Sequence, residues 1–234
     1  MIPFRDDNPT GTYPYVTVSI IILNGMVFAY EMALGSAVED LILHYGVVPS
    51  KVVFFLNHLS RDPSLITATF LPFVTSMFLH GGLIHIAGNM LYLWVFGDNV
   101  EDRLGHFRFL AFYLACGVIG GVVHVAASPV AVIPCIGASG AIAGVLGAYI
   151  ITFPGARVLC IIPILFIWTV VELPALAVLG FWFVIQFFSG VVAFTAAADA
   201  GGGIAWGAHI GGFFAGMVIM RVLEKTRPST AEAG

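Results

Sequence analysis

Seven apolar blocks follow one another along this chain and leave little from which to build a water-facing surface: residues 16–34, 83–96, 109–127, 139–153, 158–171, 174–194 and 204–223. A soluble fold would have to cover them with charge, yet 9% of the 234 residues are charged and 59% are hydrophobic, where soluble chains carry about 25% charge. A bilayer is the solvent that suits this pattern, because a helix of about 20 apolar residues satisfies its own backbone and presents only side chains to hydrocarbon. The chain reads as an integral membrane protein. A net charge of −4 argues against a polyanion-binding surface and so against nucleic acid. Cys116, Cys135 and Cys160 cannot form a closed disulfide set and lie in apolar surroundings, where a thiol behaves as a small hydrophobe.

The block at 158–171 differs from the others. It has 14 residues with Pro163 inside, is bracketed by Arg157 and by Glu172-Leu173-Pro174, and is β-branched and aromatic. It is expected to be a membrane-dipping or interfacial connector, which leaves six spans. The expected fold is therefore all-α, a polytopic bundle of six transmembrane helices with both termini in the cytosol. On that topology Arg5, Arg103, Arg108, Arg157, Arg221, Lys225 and Arg227 lie inside, and only Lys51 and Arg61 outside. This is the asymmetry of the positive-inside rule, and a seventh span would spoil it. The expected organisation is a cytosolic segment over 1–15, a membrane domain over 16–223 with an interfacial loop at 35–79 and a connector at 155–173, and a cytosolic tail over 224–234. Residues 1–15 are polar and turn-rich and show neither a signal-peptide pattern nor an Arg/Ser-rich leader, so the first block is expected to stay and the membrane to be a bacterial-type plasma membrane.

Three polar clusters interrupt the apolar blocks. Gly137-Ala138-Ser139-Gly140 places a serine at the start of the fourth block, at a helix N-terminus whose unpaired N–H groups favour negative charge. Gly207-Ala208-His209-Ile210-Gly211-Gly212 places one imidazole in the last block, with Gly212 and Gly216 forming a groove that Gly140 and Gly144 match beside Ser139. An ionisable group inside a membrane is a functional hypothesis by default, and Ser139 is its obvious partner. Both blocks run from outside to inside, so the two side chains fall at one depth. The third cluster is His80-Gly81-Gly82-Leu83-Ile84-His85-Ile86-Ala87-Gly88-Asn89. His85 and Asn89, four apart, share one helix face and offer two neutral donors to a developing oxyanion, while His80 falls about 140° round the helix from His85. No Asp or Glu is placed to orient His209, so a Ser–His dyad is expected rather than a triad. A zinc site from His80, His85 and His209 lacks a carboxylate ligand and a shared face. An aspartyl mechanism lacks a second acid beside Gly97-Asp98.

Together these clusters resemble the rhomboid family of intramembrane serine proteases. The resemblance covers all six expected spans and includes the run Leu93-Trp94-Val95-Phe96-Gly97-Asp98-Asn99-Val100-Glu101-Asp102-Arg103. It implies Ser139 as nucleophile, His209 as general base, and an oxyanion hole formed by His85, Asn89 and the Ser139 backbone N–H, with no cofactor or metal. It also implies that Glu101 and Arg103 form a structural cap at the inner end of the second span, that the first loop lies partly in the outer leaflet, and that the loop over about 195–203 covers the site. Some relatives carry an aromatic residue four after the serine that stacks on the histidine; here that residue is Ala143.

The implied function is cleavage of a transmembrane segment of another membrane protein near the outer face, in contact with lipid. The expected gate is the fifth span, whose Phe181, Trp182, Phe183, Phe187 and Phe188 would pack against the second span. A non-proteolytic relative that binds client helices is the alternative. A transporter or channel would call for paired intramembrane charges or repeated halves. The sequence has no repeat and only Glu31, expected at the interface, and His124, expected as a core hydrogen bonder.

Overall fold

A computed structural model describes residues 1–59, 61–164, 167–195 and 205–225. Strand β1 (Ile2–Asp6) precedes α1 (Tyr15–Leu34). The first N–H groups of a helix lack internal acceptors, and at α1 Glu101 supplies them: Val16 N donates to Oε1 at 2.9 Å and Thr17 N to Oε2 at 2.7 Å. Gly35, with φ of 56°, ends the helix.

Four short helices then fill the long first loop: α2 (Val38–Tyr45), α3 (Pro49–His58), α4 (Leu65–Phe70) and α5 (Pro72–Thr75). Proline opens α3 and α5, where the N–H it lacks would have had no partner. Long helices follow: α6 (Leu83–Leu104), α7 (His106–Ala127), α8 (Ser139–Thr152), α9 (Ala175–Thr195) and α10 (Trp206–Lys225).

Three helical stretches, Tyr15–Tyr45, His106–Ala127 and Trp206–Lys225, are long and apolar enough to cross a membrane, and a pair bent by 81° (Leu65–Phe78 with Leu83–Leu104) makes a fourth candidate. Ser139–Thr152 and Ala175–Val191 are shorter apolar helices. The chain is an integral, multi-pass membrane protein.

The fold departs from the expected all-α bundle in one place. Strands β2 (Arg157–Ile164) and β3 (Ile167–Pro174) pair antiparallel as a hairpin, and β1 adds to it in the order β1-β2-β3. Ile2 pairs with Ile161, Asp6 with Val158 and Cys160 with Val171. The β-branched composition that made this block a poor helix makes it a good strand. Its alternation shows in burial: Val158 and Cys160 are fully buried, whereas Trp168 and Val170 are exposed. The hairpin is closed near its base by an Arg157–Glu172 ion pair of 2.5 Å. The segment expected as a membrane-dipping or interfacial connector is thus a β-hairpin, and the turn-rich N-terminal segment supplies its third strand.

At the centre lies α8, buried at every position from Gly140 to Tyr149. A 14-residue helix so enclosed needs neighbours that come very close, and glycine provides the room. A methyl group on Gly212 would overlap the Gly140 carbonyl, and one on Gly216 would stand 2.5 Å from the carbonyl carbon of Gly144. Helices α8 and α10 therefore touch backbone to backbone. Gly144 faces Cys116 of α7 in the same way, its absent methyl 2.6 Å from Sγ.

Candidate active site

The segment leading into α8 is held from outside by the first loop. Val47 and Cys135 exchange both backbone hydrogen bonds (3.1 and 2.8 Å), and Gly137 N donates to Ser76 O at 2.8 Å. Gly137 has φ of 120°, a conformation open to glycine and strained for other residues. This turn delivers Ser139 as the first residue of α8, half-buried, beside N–H groups that helix geometry leaves without acceptors.

The glycine contacts between α8 and α10 set His209 opposite that serine. Nε2 of His209 and Oγ of Ser139 are 2.7 Å apart, and Nδ1 lies 2.6 Å from Oε1 of Gln186 on α9. An amide oxygen only accepts, so Nδ1 carries the proton, Nε2 is the acceptor, and the Ser139 hydroxyl donates to it. The rings of Trp182 and Trp206 flank the imidazole, with centroids 5.9 and 6.1 Å away. Gln186 is hard to find in the sequence because it is a single amide in an aromatic run, and it orients the imidazole without being an Asp or Glu. Asp199 lies outside the described residues, as does nearly all of the cap expected over 195–203.

His85 and Asn89 lie on α6 and border one space. His85 Nδ1 accepts from Gly81 N at 3.3 Å, which leaves the proton on Nε2. A methyl on Gly137 would stand 2.7 Å from that Nε2 and 3.5 Å from Asn89 Nδ2. Two donors therefore converge beside the residue two before Ser139. Asn89 is buried and His85 exposed.

His80 does not point away as a continuous helix would require, because α6 begins only at Leu83 after Gly81 and Gly82. His80 Nε2 accepts from Asn89 Nδ2 at 2.9 Å, and its ring meets that of His85 at 5.1 Å. Glu31, expected at the interface, is 3% exposed and accepts the His80 backbone N–H at 3.1 Å. Of the three histidines of the zinc reading, His80 bonds Asn89, His85 accepts from Gly81 N, and His209 meets Ser139 and Gln186.

A hydroxyl hydrogen-bonded to an oriented imidazole, next to converging donors, is equipped for acyl transfer. Residues 67–226 match the family model described as the rhomboid domain. The chain belongs to the rhomboid family. It is 34% identical over 146 residues to the rhomboid protease GluP of Bacillus subtilis, covering 62% of this chain and 25% of that protein. It is 32% identical over 173 residues to the mitochondrial rhomboid protein 1 of Saccharomyces cerevisiae, covering 68% and 45%. The third comparison is 34% identical over 123 residues, to the mitochondrial presenilin-associated rhomboid-like protein A of Danio rerio, covering 52% and 32%. This rhomboid spans less than half the length of each of these relatives. They come from a bacterium and from mitochondria, so they bear on the family and on residence in a membrane rather than on which membrane. The bacterial plasma membrane expected from the sequence therefore finds no support in them.

Two further expectations take a different form in this rhomboid. Glu101 is fully buried, but it caps α1 and also meets His106 Nδ1 at 2.6 Å, whereas Arg103 pairs with Glu224 of α10 at 3.1 Å. Among the described residues, Trp182 and Phe183 of α9 meet rings of α10, with Phe183 4.6 Å from Phe213 and 5.5 Å from Phe214, and no ring of α9 pairs with one of the second span. Phe181, Phe187 and Phe188 are exposed. His124 is half-buried on α7, where a methyl on Gly207 would come within 2.9 Å of its Cα.

Proposed function

We propose that this rhomboid is an intramembrane serine endopeptidase that cuts a transmembrane segment of another membrane protein. The observation that carries the reading is the 2.7 Å hydrogen bond between Ser139 Oγ and His209 Nε2. In the proposed reaction Nε2 takes the hydroxyl proton as Oγ bonds to the scissile carbonyl carbon. The resulting oxyanion is met by His85 Nε2–H, by the Asn89 amide and by the Ser139 backbone N–H. Collapse breaks the C–N bond, and the imidazolium returns its proton to the leaving amine. Water activated by the same Nε2 then hydrolyses the acyl-enzyme. No cofactor enters this sequence.

The proposed topology has six spans, α1, α6, α7, α8, α9 and α10, with both termini and the sheet in the cytosol and the site opening to the outer face. Lipid and a single-span substrate are the partners. Helix α9 is the proposed gate, since three of its phenylalanines are exposed.

The test uses purified protein in detergent with a labelled single-span substrate. The expected result is cleavage that survives EDTA and disappears in Ser139→Ala and in His209→Ala. Substrate capture that persists in Ser139→Ala, with no product from the wild type, would instead favour a client-binding role. Cleavage by Ser139→Ala would end the serine mechanism.

A further inference from the structure

We propose that Gln186 is a positioning residue that fixes the tautomer of His209, and that α9 thereby holds the base ready; this rests on the protease reading above. A neutral imidazole has one N–H, and only the form with the proton on Nδ1 leaves Nε2 free to accept from Ser139. The opposite tautomer points an N–H at the nucleophile and cannot act as its base. The acceptor that selects between them is Gln186 Oε1, 2.6 Å from Nδ1.

The position four after the serine is Ala143, fully buried, which offers no ring to support the imidazole. What steadies the ring comes from elsewhere. Trp182 and Gln186 are four residues apart on α9, hence on one face. The first lies 5.9 Å from the His209 ring and the second takes its proton. Serine and base are joined through α8 and α10, whereas the tautomer is set through α9. Displacement of α9 would leave the Ser139–His209 distance intact and remove the group that keeps Nε2 unprotonated. An amide makes this selection without a carboxylate, which would be costly to place within a span.

The experiment compares wild type with Gln186→Leu and Gln186→Glu, all as full chains in detergent. Leucine keeps the bulk and loses the acceptor, while glutamate keeps the acceptor. One readout is the ¹⁵N resonances of the His209 ring, identified by their absence from His209→Asn. The other is kcat and KM on the single-span substrate. The expected result is a ring held in the Nδ1–H form in wild type and in Gln186→Glu, and a mixture of tautomers in Gln186→Leu. With it, kcat falls about ten- to a hundredfold in Gln186→Leu at nearly constant KM, and Gln186→Glu recovers most of the loss. This lies below the roughly 10⁴-fold cost known when an orienting carboxylate is replaced so that the tautomer inverts. Unchanged ring resonances in Gln186→Leu would overturn the proposal, as would unchanged turnover despite a changed tautomer. The ring readout needs no substrate, so a wild type with the Nδ1–H form and no proteolysis would reject the protease reading and leave the contact supported.

Discussion

Replacing Gly137 by alanine tests the oxyanion hole through a residue that touches neither the nucleophile nor the base. The substitution carries two separable costs. Gly137 has φ of 120°, and holding a side chain in such a region costs about 1–3 kcal/mol of stability. The new methyl would also stand 2.7 Å from His85 Nε2 and 2.9 Å from its Cε1, well inside contact distance. The imidazole is the part that yields, because it is exposed and is held by a single 3.3 Å bond from Gly81 N and an edge contact with the His80 ring among the described residues. As it turns it carries its N–H away from the site. Asn89 Nδ2, at 3.5 Å from the methyl, is in ordinary contact and stays. One donor of the pair is lost, which is worth about 2.7–4 kcal/mol, or roughly 10²–10³ in kcat. The assay is kcat and KM on the labelled single-span substrate, with thermal unfolding in the same detergent. His85→Ala should lose as much turnover without the backbone strain. The double variant Gly137→Ala/His85→Ala should lose little more turnover than either single one, since no ring remains to displace, while the unfolding penalty persists. A folded Gly137→Ala protein with wild-type turnover, or turnover losses that add in the double variant, would refute the reasoning.

Other predictions follow from the contacts around the site. His80→Leu removes one acceptor from Asn89 and should lower kcat about two- to tenfold, the worth of a neutral hydrogen bond, against about 10²-fold or more for Asn89→Ala; the reverse order in kinetics would remove His80 from the supporting role. Gly216→Val puts a methyl 2.5 Å from the Gly144 carbonyl carbon and should cost about 3 kcal/mol or more in unfolding, the upper end of overpacking, and abolish cleavage by parting Ser139 from His209. An unaltered melting profile would mean that α8 and α10 do not meet there. Outside the spans, burial raises the Asp6 carboxyl above its usual range even though the Tyr149 hydroxyl donates to it. A raised value means stability that is full at acidic pH and is lost as pH rises through the folded-state pKa. Asp6→Asn should flatten that decline in a melting series from pH 4 to pH 8; an equal slope in both proteins would count against it.

Ser139 and His209 were legible because each is a lone polar residue among apolar neighbours, where a side chain with no partner would be expensive. The glycines at 140, 144, 212 and 216 were legible for a related reason, since four-residue spacing leaves a groove along one helix face. Gln186 has the first of these signals, but as an amide it lacks the charge that marks the usual orienting partner of a histidine. The place of His80 is not legible from a helical period, because Gly81 and Gly82 separate it from the helix, which begins at Leu83. The β-branched run at 158–171 reads as a poor span, and it pairs locally as the β2–β3 hairpin; the third strand, β1, lies some 150 residues away, and no local pattern announces so distant a partner. The carboxylate of Glu31 accepts one backbone N–H of a distant loop, a partner that no local pattern announces.

The distance between Ser139 and His209 follows from backbone contacts more than from the two side chains. Gly140 and Gly144 stand one and five residues after Ser139, and Gly212 and Gly216 stand three and seven after His209. Each α10 glycine admits one α8 carbonyl. Sliding α10 by one residue, about 1.5 Å, would bring Phe213 or Met217 towards the places where those carbonyls now fit, so the register has no near alternative. Because the register is discrete, the depth of His209 is discrete too, and the 2.7 Å hydrogen bond is its consequence. The tautomer of His209 has no comparable lock within α8 and α10. It depends on Gln186, and α9 meets α10 near the site through aromatic rings such as Phe183 on Phe213, contacts that can part without moving a carbonyl out of a glycine notch. On the proposed mechanism, a base fixed in position by one helix pair and in protonation by a third helix is able to lose activity reversibly without losing its geometry.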